Sequence, residues 1–110
     1  MISALIFDCD GTLVDSEDIG IRAMHAHALP YGLTLRLEAM LTDFRGKSMA
    51  RNIAEMASHA ARPLPGDFTV SLRRAMADRF RAELQPMPGA LAFVAGLRLP
   101  CCVATNGPRD

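Results

Sequence analysis

The sequence predicts an α/β fold in which a short strand near each end of the chain flanks a series of helices. Three observations favour it: the chain begins with a short apolar run typical of a buried strand, it closes with another, and the segment between them has helical apolar spacing. The 110 residues are 50% apolar and 22% charged, with a mean hydropathy of +0.14, as in folded rather than disordered proteins.

The first strand is predicted over Ile2–Phe7, where an apolar run ends at an acidic, glycine-containing turn. Functional side chains are common at the carboxyl end of a parallel strand, and Asp8 occupies that position. The first helix is predicted after Ser16, because apolar side chains then recur on one face until Pro30 and Gly32 end the segment.

The later elements follow from the same spacing rule. Apolar residues recur every three or four positions in three further segments, and each segment ends at a glycine or proline. A proline near its first turn also favours a short helix before the closing apolar run. These elements are helices at about Arg36–Phe44, from Ser48 to the break at Arg62, from Asp67 to the break at Pro86 and over Pro88–Leu97, then a buried strand at Cys101–Ala104.

The charge balance and the cysteines limit the classes of partner and location. The 12 basic and 12 acidic side chains give a net charge of zero, so no overall positive field would attract a nucleic acid or an anionic membrane. A small molecule is therefore the expected partner. The chain start has neither the basic segment nor the long apolar stretch of a signal peptide or membrane span. Cys9, Cys101 and Cys102 are odd in number and two are adjacent, which favours reduced thiols and a cytoplasmic location.

The most informative segment runs from Asp8 to Glu17 and reads Asp-Cys-Asp-Gly-Thr-Leu-Val-Asp-Ser-Glu. A carboxylate that attacks phosphorus must overcome repulsion between two anions, so it needs a divalent cation and oriented donors. Asp8 could attack and bind the metal, whereas Asp10 could protonate the leaving oxygen and later activate water. Gly11 and Thr12 would let the backbone turn back tightly and present amide groups to phosphate oxygens.

Other interpretations of this acidic run are less favoured. An EF-hand loop starting at Asp8 would need glycine at its sixth position and glutamate at its twelfth, where the sequence has Leu13 and Ile19. A glycosyltransferase Asp-x-Asp metal site would not need the Gly-Thr-Leu-Val that follows. A purely structural acidic turn would explain one aspartate but not the ordered run through Glu17. The last two interpretations stay open.

The segment Phe7–Glu17 resembles the first motif of the haloacid dehalogenase superfamily, in the branch that contains β-phosphoglucomutase and sugar-phosphate phosphatases. The resemblance implies an incomplete Rossmannoid core of two parallel strands, formed by residues 1–15 and 86–110, with an inserted four-helix cap over residues 16–85. It implies further that Asp8 is phosphorylated, that Asp10 is the general acid/base and that both bind Mg²⁺, Asp10 through its backbone carbonyl. Thr105 matches the second motif of the family, whose hydroxyl hydrogen-bonds the phosphoryl group, and Asn106 matches its usual neighbour.

The same resemblance places the substrate-recognition loop of the cap at Arg45, Gly46 and Lys47. Arg45 and Lys47 would meet an anionic substrate, and Gly46 would permit the close turn. Lys47 is the only lysine of the chain, yet a solvated lysine at a helix start is an equally good interpretation. The three histidines have no metal-ligand spacing and are expected on the cap surface or in its packing: His25, His27 and His59.

Two further family motifs, a lysine or arginine and an acidic pair, would follow the second motif beyond Asp110, since Arg109 and Asp110 come too soon after Thr105. We therefore expect a truncated member whose short sheet could associate through its exposed edges. The implied function is a magnesium-dependent phosphatase of small phosphorylated metabolites such as sugar phosphates, through an aspartyl-phosphate on Asp8. A phosphosugar mutase remains an alternative, as does a catalytically silent fragment that binds phosphate or a partner chain.

Overall fold

A computed structural model of the protein describes residues 1–107, so Pro108, Arg109 and Asp110, at the end of the expected core segment, lie outside the described residues. The chain divides into two compact units. One, the strand-containing unit, comprises Met1–Ser16 with Leu84–Asp110. The other, the helical unit, comprises Glu17–Glu83. These bounds differ by one and two residues from the division expected from the sequence.

The described elements follow the predicted order of one strand, four helices, a short helix and a second strand. A single 3-10 turn, Leu29–Tyr31, adds to the predicted set. The α/β class with two parallel strands and an inserted four-helix cap is thereby confirmed. The elements are β1 (Leu5–Phe7), α1 (Glu17–Ala28), α2 (Leu37–Asp43), α3 (Met49–Ser58), α4 (Phe68–Glu83), α5 (Ala90–Ala95) and β2 (Cys101–Val103).

The strands pair in parallel with Leu5 opposite Cys101 and Phe7 opposite Val103. The expectation that both strands are buried is wrong for this chain, because Ile6 is 72% exposed and Val103 is 51% exposed. A parallel strand becomes buried when neighbouring strands and helices cover both its faces, and the described part of this unit supplies only two strands and α5. β1 and α5 are also shorter than the predicted elements.

The buried apolar core of the described chain lies in the helical unit. α1 packs against α4 and α2, because its apolar residues recur at helical spacing and form one face. Glu17 and Asp18 stand in the first turn of α1, where acidic side chains complement the helix dipole. The core residues are Ile21, Ala23, Met24, Ala28, Leu33, Met40, Phe44, Met56, Phe68 and Leu72.

Local signals set the boundaries of these helices. Ser48 begins α3, and its hydroxyl accepts a hydrogen bond from the Arg51 amide at 3.2 Å, as an N-cap does. Gly32 ends the 3-10 turn with a φ of 74°, a conformation that glycine adopts most readily. One core-facing position of α3 is polar: Asn52 is 3% exposed and its Nδ2 donates to the Phe44 carbonyl at 3.3 Å. None of the helices within residues 1–107 has the length and apolarity needed to cross a membrane.

Candidate active site

The candidate active site begins where the two strands end. The Ala104 amide donates to the Phe7 carbonyl at 2.8 Å, which continues the parallel pairing just past the end of β2. Both chain segments therefore leave the sheet at the same edge. Asp8 follows β1 directly, and Thr105 comes two residues after β2. The sheet thus places Asp8 and Thr105 at the same edge.

The three residues after β1 alternate in exposure. Asp8 and Asp10 are exposed, whereas Cys9 between them is partly buried. Alternate side chains of an extended segment point to opposite sides, so the two carboxylates share the solvent side. Burial of Cys9, together with the neighbouring Asp10 and Asp8 carboxylates, raises the pKa of its thiol. Cys9 is therefore a poor nucleophile at neutral pH, which agrees with a packing role.

The turn after Asp10 is closed by its own backbone. The Cys9 carbonyl accepts hydrogen bonds from the amides of Thr12, Leu13 and Val14 at 3.2, 2.9 and 3.3 Å. The Gly11 amide donates to the Val14 carbonyl at 2.8 Å, and Gly11 has a φ of 75°. In this conformation the amides of Gly11 and Thr12 both donate within the turn, whereas the sequence analysis expects them to face phosphate oxygens. The donor that Thr12 offers to solvent is therefore its hydroxyl.

Asp10 is oriented by a residue that the sequence analysis did not identify as its partner. The Ser16 hydroxyl donates to Asp10 Oδ1 at 2.7 Å, and Ser16 is only 6% exposed. Ser16 is itself held because the adjacent Asp15 amide donates to the Gln85 carbonyl at 2.9 Å. The sequence gives only a weak signal for this contact. Ser16 is six residues after Asp10, so the two side chains can meet only if the intervening turn closes.

The second motif presents its side chains from the loop after β2. The Thr105 hydroxyl oxygen accepts a hydrogen bond from the Gly107 amide at 3.0 Å. A hydroxyl that accepts one hydrogen bond keeps its own hydrogen available as a donor. Thr105 and its neighbour Asn106 are both exposed. Thr105 can therefore donate to an oxyanion at this edge of the sheet.

The donor set is suited to a hard cation but is small. Within residues 1–107, no three Asp, Glu, His or Cys side chains cluster in the way that a protein metal site requires. Asp8 offers a carboxylate oxygen and Asp10 a backbone carbonyl oxygen. Oxygen is the ligand atom that Mg²⁺ prefers, and Mg²⁺ commonly keeps several waters and binds substrate phosphates. Asp8 and Asp10 thus fit part of a magnesium shell that water and phosphate oxygens would complete.

The remaining predicted residues belong to the helical unit. Arg45, Gly46 and Lys47 form the turn between α2 and α3, and all three are exposed. The Gly46 amide donates to Glu17 Oε1 at 2.6 Å, and the Arg45 guanidinium pairs with Asp18. The structure therefore gathers the predicted residues into two groups, one in each unit.

Comparison with known proteins identifies relatives of both units. A family model described as haloacid dehalogenase-like hydrolase matches residues 5–110. The chain is 34% identical over 110 residues to the 6-phosphogluconate phosphatase of Escherichia coli strain K12, with 99% of this chain and 50% of the relative covered. It is 31% identical over 121 residues to the validoxylamine A 7'-phosphate phosphatase of Streptomyces hygroscopicus subsp. limoneus, with 100% of this chain and 53% of the relative covered.

A solved structure gives the same result. The structure of ATU0790 from Agrobacterium tumefaciens C58, a conserved haloacid dehalogenase-like protein of unknown function, matches with a TM-score of 0.77 and 25% identity. The match covers 99% of this chain and 49% of that protein. The chain therefore spans about half the length of the curated relatives and of the solved structure that it matches.

Proposed function

Because this chain belongs to the haloacid dehalogenase-like hydrolase family, we propose that it carries the nucleophile and the acid/base of a magnesium-dependent phosphatase acting on small phosphorylated metabolites such as sugar phosphates. The observation that carries the proposal is that Asp8 and Thr105 follow the paired ends of β1 and β2, with Asp10 two residues after Asp8. The curated relatives support the substrate class, because both are phosphatases named for a phosphorylated, sugar-like compound.

In the first step Asp8 is the nucleophile. One of its carboxylate oxygens attacks phosphorus, the bond between phosphorus and the leaving oxygen breaks, and an aspartyl-phosphate forms on Asp8. Asp10 gives its proton to the leaving oxygen, so the alcohol departs neutral. Ser16 occupies Asp10 Oδ1, which leaves Oδ2 to carry that proton.

In the second step Asp10 reverses its role. Asp10 takes a proton from a water molecule whose oxygen attacks the phosphorus of the aspartyl-phosphate. The bond between phosphorus and the Asp8 oxygen breaks, which releases inorganic phosphate and regenerates both carboxyl groups. Thr105 and Thr12 would donate hydroxyl hydrogen bonds to the phosphoryl oxygens, and Asn106 would add its amide from the same loop as Thr105.

Asp8 would hold the magnesium ion through a carboxylate oxygen and Asp10 through its backbone carbonyl, which leaves the Asp10 carboxyl group free for proton transfer. When bound, Mg²⁺ neutralises phosphoryl charge and so lowers the repulsion between an anionic nucleophile and an anionic substrate. In the helical unit, Lys47 and Arg45 are cations at the Gly46 turn, and Lys47 is the one without a carboxylate ion pair among residues 1–107. Lys47 is accordingly our first choice for a contact with the anionic substrate.

Release of inorganic phosphate by the purified 110-residue chain tests this proposal. We expect Mg²⁺-dependent release from 6-phosphogluconate or from an aryl phosphate, and we expect Asp8→Asn to abolish it because an amide is not a nucleophile. Asp67→Asn, an exposed carboxylate at the start of α4, is the matched control and should retain activity. Release that survives Asp8→Asn would contradict the proposed mechanism.

Two alternatives predict different outcomes of the same assay. A phosphosugar mutase uses the same nucleophile but returns an isomeric sugar phosphate instead of free phosphate. A catalytically silent fragment would release nothing and would associate through its sheet, a reading favoured by the exposure of Ile6 and Val103 on the two strands. Product identification together with the oligomeric state separates the three.

A further inference from the structure

We propose that Glu17 is a positioning residue that fixes the turn formed by Arg45, Gly46 and Lys47, with Arg45 held in the same cluster and Lys47 left as the free cation of the turn. The use of Lys47 for substrate recognition rests on the proposed function. The positioning by Glu17 does not, because it follows from contacts within the helical unit.

Both carboxylate oxygens of Glu17 face this turn. Oε1 accepts a hydrogen bond from the Gly46 amide at 2.6 Å, and Oε2 lies 3.8 Å from Arg45 Nη1. A hydrogen bond to a carboxylate is stronger than one between neutral groups, and a separation of 2.6 Å places it among the short ones. One side chain from the first turn of α1 therefore contacts two consecutive residues of the turn between α2 and α3.

Each nitrogen of the Arg45 guanidinium faces a partner within the helical unit, and two of the three are hydrogen-bonded. Its Nε donates to the Leu41 carbonyl at 2.8 Å, Nη2 pairs with Asp18, and Nη1 faces Glu17. These contacts fix the orientation of the guanidinium and balance its charge with carboxylates, which lowers its attraction for another anion. Arg45 thus stabilises the turn through contacts within the helical unit. Its charge is balanced by the two acidic residues that begin α1.

Lys47 is in the opposite situation. Its backbone is held, because its amide donates to the Phe44 carbonyl at 3.3 Å and the next residue, Ser48, is the N-cap of α3. Its side chain is exposed and takes part in no ion pair within the described part of the chain. The turn therefore presents one unpaired cation on a fixed backbone.

Gly46 permits the turn, and its amide resonance can be used to follow the turn. Its φ of 70° lies in the left-handed region, which glycine adopts without strain. No atom lies within 4 Å of the position that a Cβ would take, so packing does not hold this residue. The hydrogen bond to Glu17 is therefore the tertiary contact that fixes its amide, and its amide resonance should follow that bond.

Nuclear magnetic resonance of the ¹⁵N-labelled 110-residue chain tests the positioning role. In Glu17→Ala we expect the Gly46 amide proton to move upfield and to exchange with solvent roughly threefold to tenfold faster, because a charged acceptor is lost from a partly screened site. Glu17→Gln keeps a neutral acceptor and should restore part of the shift. Glu38→Ala removes a carboxylate from the first turn of α2 and is the control that should leave Gly46 unchanged.

The conservative variant keeps the test decisive if Glu17→Ala does not fold. A Gly46 amide whose shift and exchange rate are the same in wild type and Glu17→Gln overturns the proposal, as does an unchanged Gly46 in a folded Glu17→Ala. Arg45→Gln should also move the Gly46 resonance, because it removes the guanidinium that neutralises Glu17 and Asp18.

Titration with 6-phosphogluconate separates the two proposals. We expect Lys47→Gln to weaken its binding roughly threefold to fivefold while the Gly46 resonance of the free chain stays in place. If wild type binds no 6-phosphogluconate although Gly46 responds to Glu17, the proposed substrate is wrong and the positioning role stands. If wild type binds it although Gly46 ignores Glu17, the positioning role is wrong and the substrate class is supported.

Discussion

The two units of the chain differ in what holds them together. The helical unit contains all the buried apolar side chains of the described residues, from Ile21 to Leu72. The strand-containing unit carries Asp8, Asp10 and Thr105, but its strands and α5 expose apolar side chains such as Ile6 and Phe93. Apolar packing therefore stabilises the helical unit, whereas backbone hydrogen bonds order the strand-containing unit.

This difference shows that the candidate catalytic residues do not need a packed core of their own to be oriented. The turn after Asp10 closes on the carbonyl of Cys9, and Ser16 fixes Asp10 by one hydrogen bond. Such local contacts set side-chain direction, although they bury little apolar surface and so add little to stability. The following predictions test this division, from the largest expected effect to the smallest.

Truncating a core side chain should have the largest effect. Phe68→Ala removes a ring that is 2% exposed, and we expect the free energy of unfolding to fall by about 3–5 kcal/mol. Phe93→Ala makes the same change in α5, where the ring is 58% exposed, and should cost less than about 1 kcal/mol. Denaturant unfolding followed by circular dichroism measures both. Equal losses would mean that the two units do not differ in packing.

Adding one methyl group at a glycine should separate the units next. Gly32 and Gly11 have φ values of 74° and 75°, so alanine strains the backbone equally at both. At Gly32 the new Cβ would also lie 2.6 Å from Ala61 Cβ, whereas at Gly11 it would meet nothing within 4 Å. We expect Gly32→Ala to cost about 2–4 kcal/mol and Gly11→Ala about 1–2 kcal/mol in unfolding free energy. The reverse order would place the tighter packing in the strand-containing unit.

Removing the hydroxyl that orients Asp10 should have a smaller effect. Ser16→Ala deletes the 2.7 Å hydrogen bond to Oδ1, and we expect a loss of about 1 kcal/mol because water can replace the donor at the exposed Asp10. Ser58→Ala deletes an exposed 2.8 Å bond to the Glu55 carbonyl and is the matched control, with an expected loss below about 0.5 kcal/mol. A loss at Ser16 no larger than at Ser58 would argue against a fixed Asp10.

The smallest effect concerns the reactivity of a thiol rather than stability. Burial and the flanking carboxylates raise the pKa of Cys9, so a smaller fraction is thiolate at a given pH. In a buffer without divalent cations, iodoacetamide should therefore alkylate Cys9 severalfold more slowly than the exposed Cys101 and Cys102 at pH 8. The difference should narrow as the pH rises through the raised pKa of Cys9. Peptide mass spectrometry gives the three rates, and a Cys9 that reacts first would contradict this account.

Most of the helical pattern could be predicted because it depends on local spacing. The first three predicted helices match α1, α2 and α3 within a few residues, and the fourth matches α4. The histidines are a further case: His27 packs against the Phe68 ring, with centroids 5.1 Å apart, and its Nε2 lies 2.8 Å from Ser71 Oγ. The sequence predicts the histidines only as cap-surface or packing residues, since spacing does not identify a partner 44 residues away.

The buried strands were mispredicted for a different reason. An apolar run such as Leu5–Phe7 indicates which side chains a strand can bury. They are buried only if neighbouring strands and helices cover them. The described part of this unit supplies β2 and α5 alone, so the run remains exposed. Asn52 is the converse case, a polar side chain that is buried because α3 packs it against the end of α2.

The sequence by itself determined the family, the order of the elements, and Asp8 and Asp10 as candidate catalytic residues, because motif spacing and helical periodicity are local properties. Only the tertiary structure decided that Ser16 holds Asp10 and that Glu17 holds the Gly46 turn. The second contact joins residues 29 positions apart, so it exists only once α1 and α2 have packed. Packing brings such residues into contact, and their spacing in the sequence does not predict that contact.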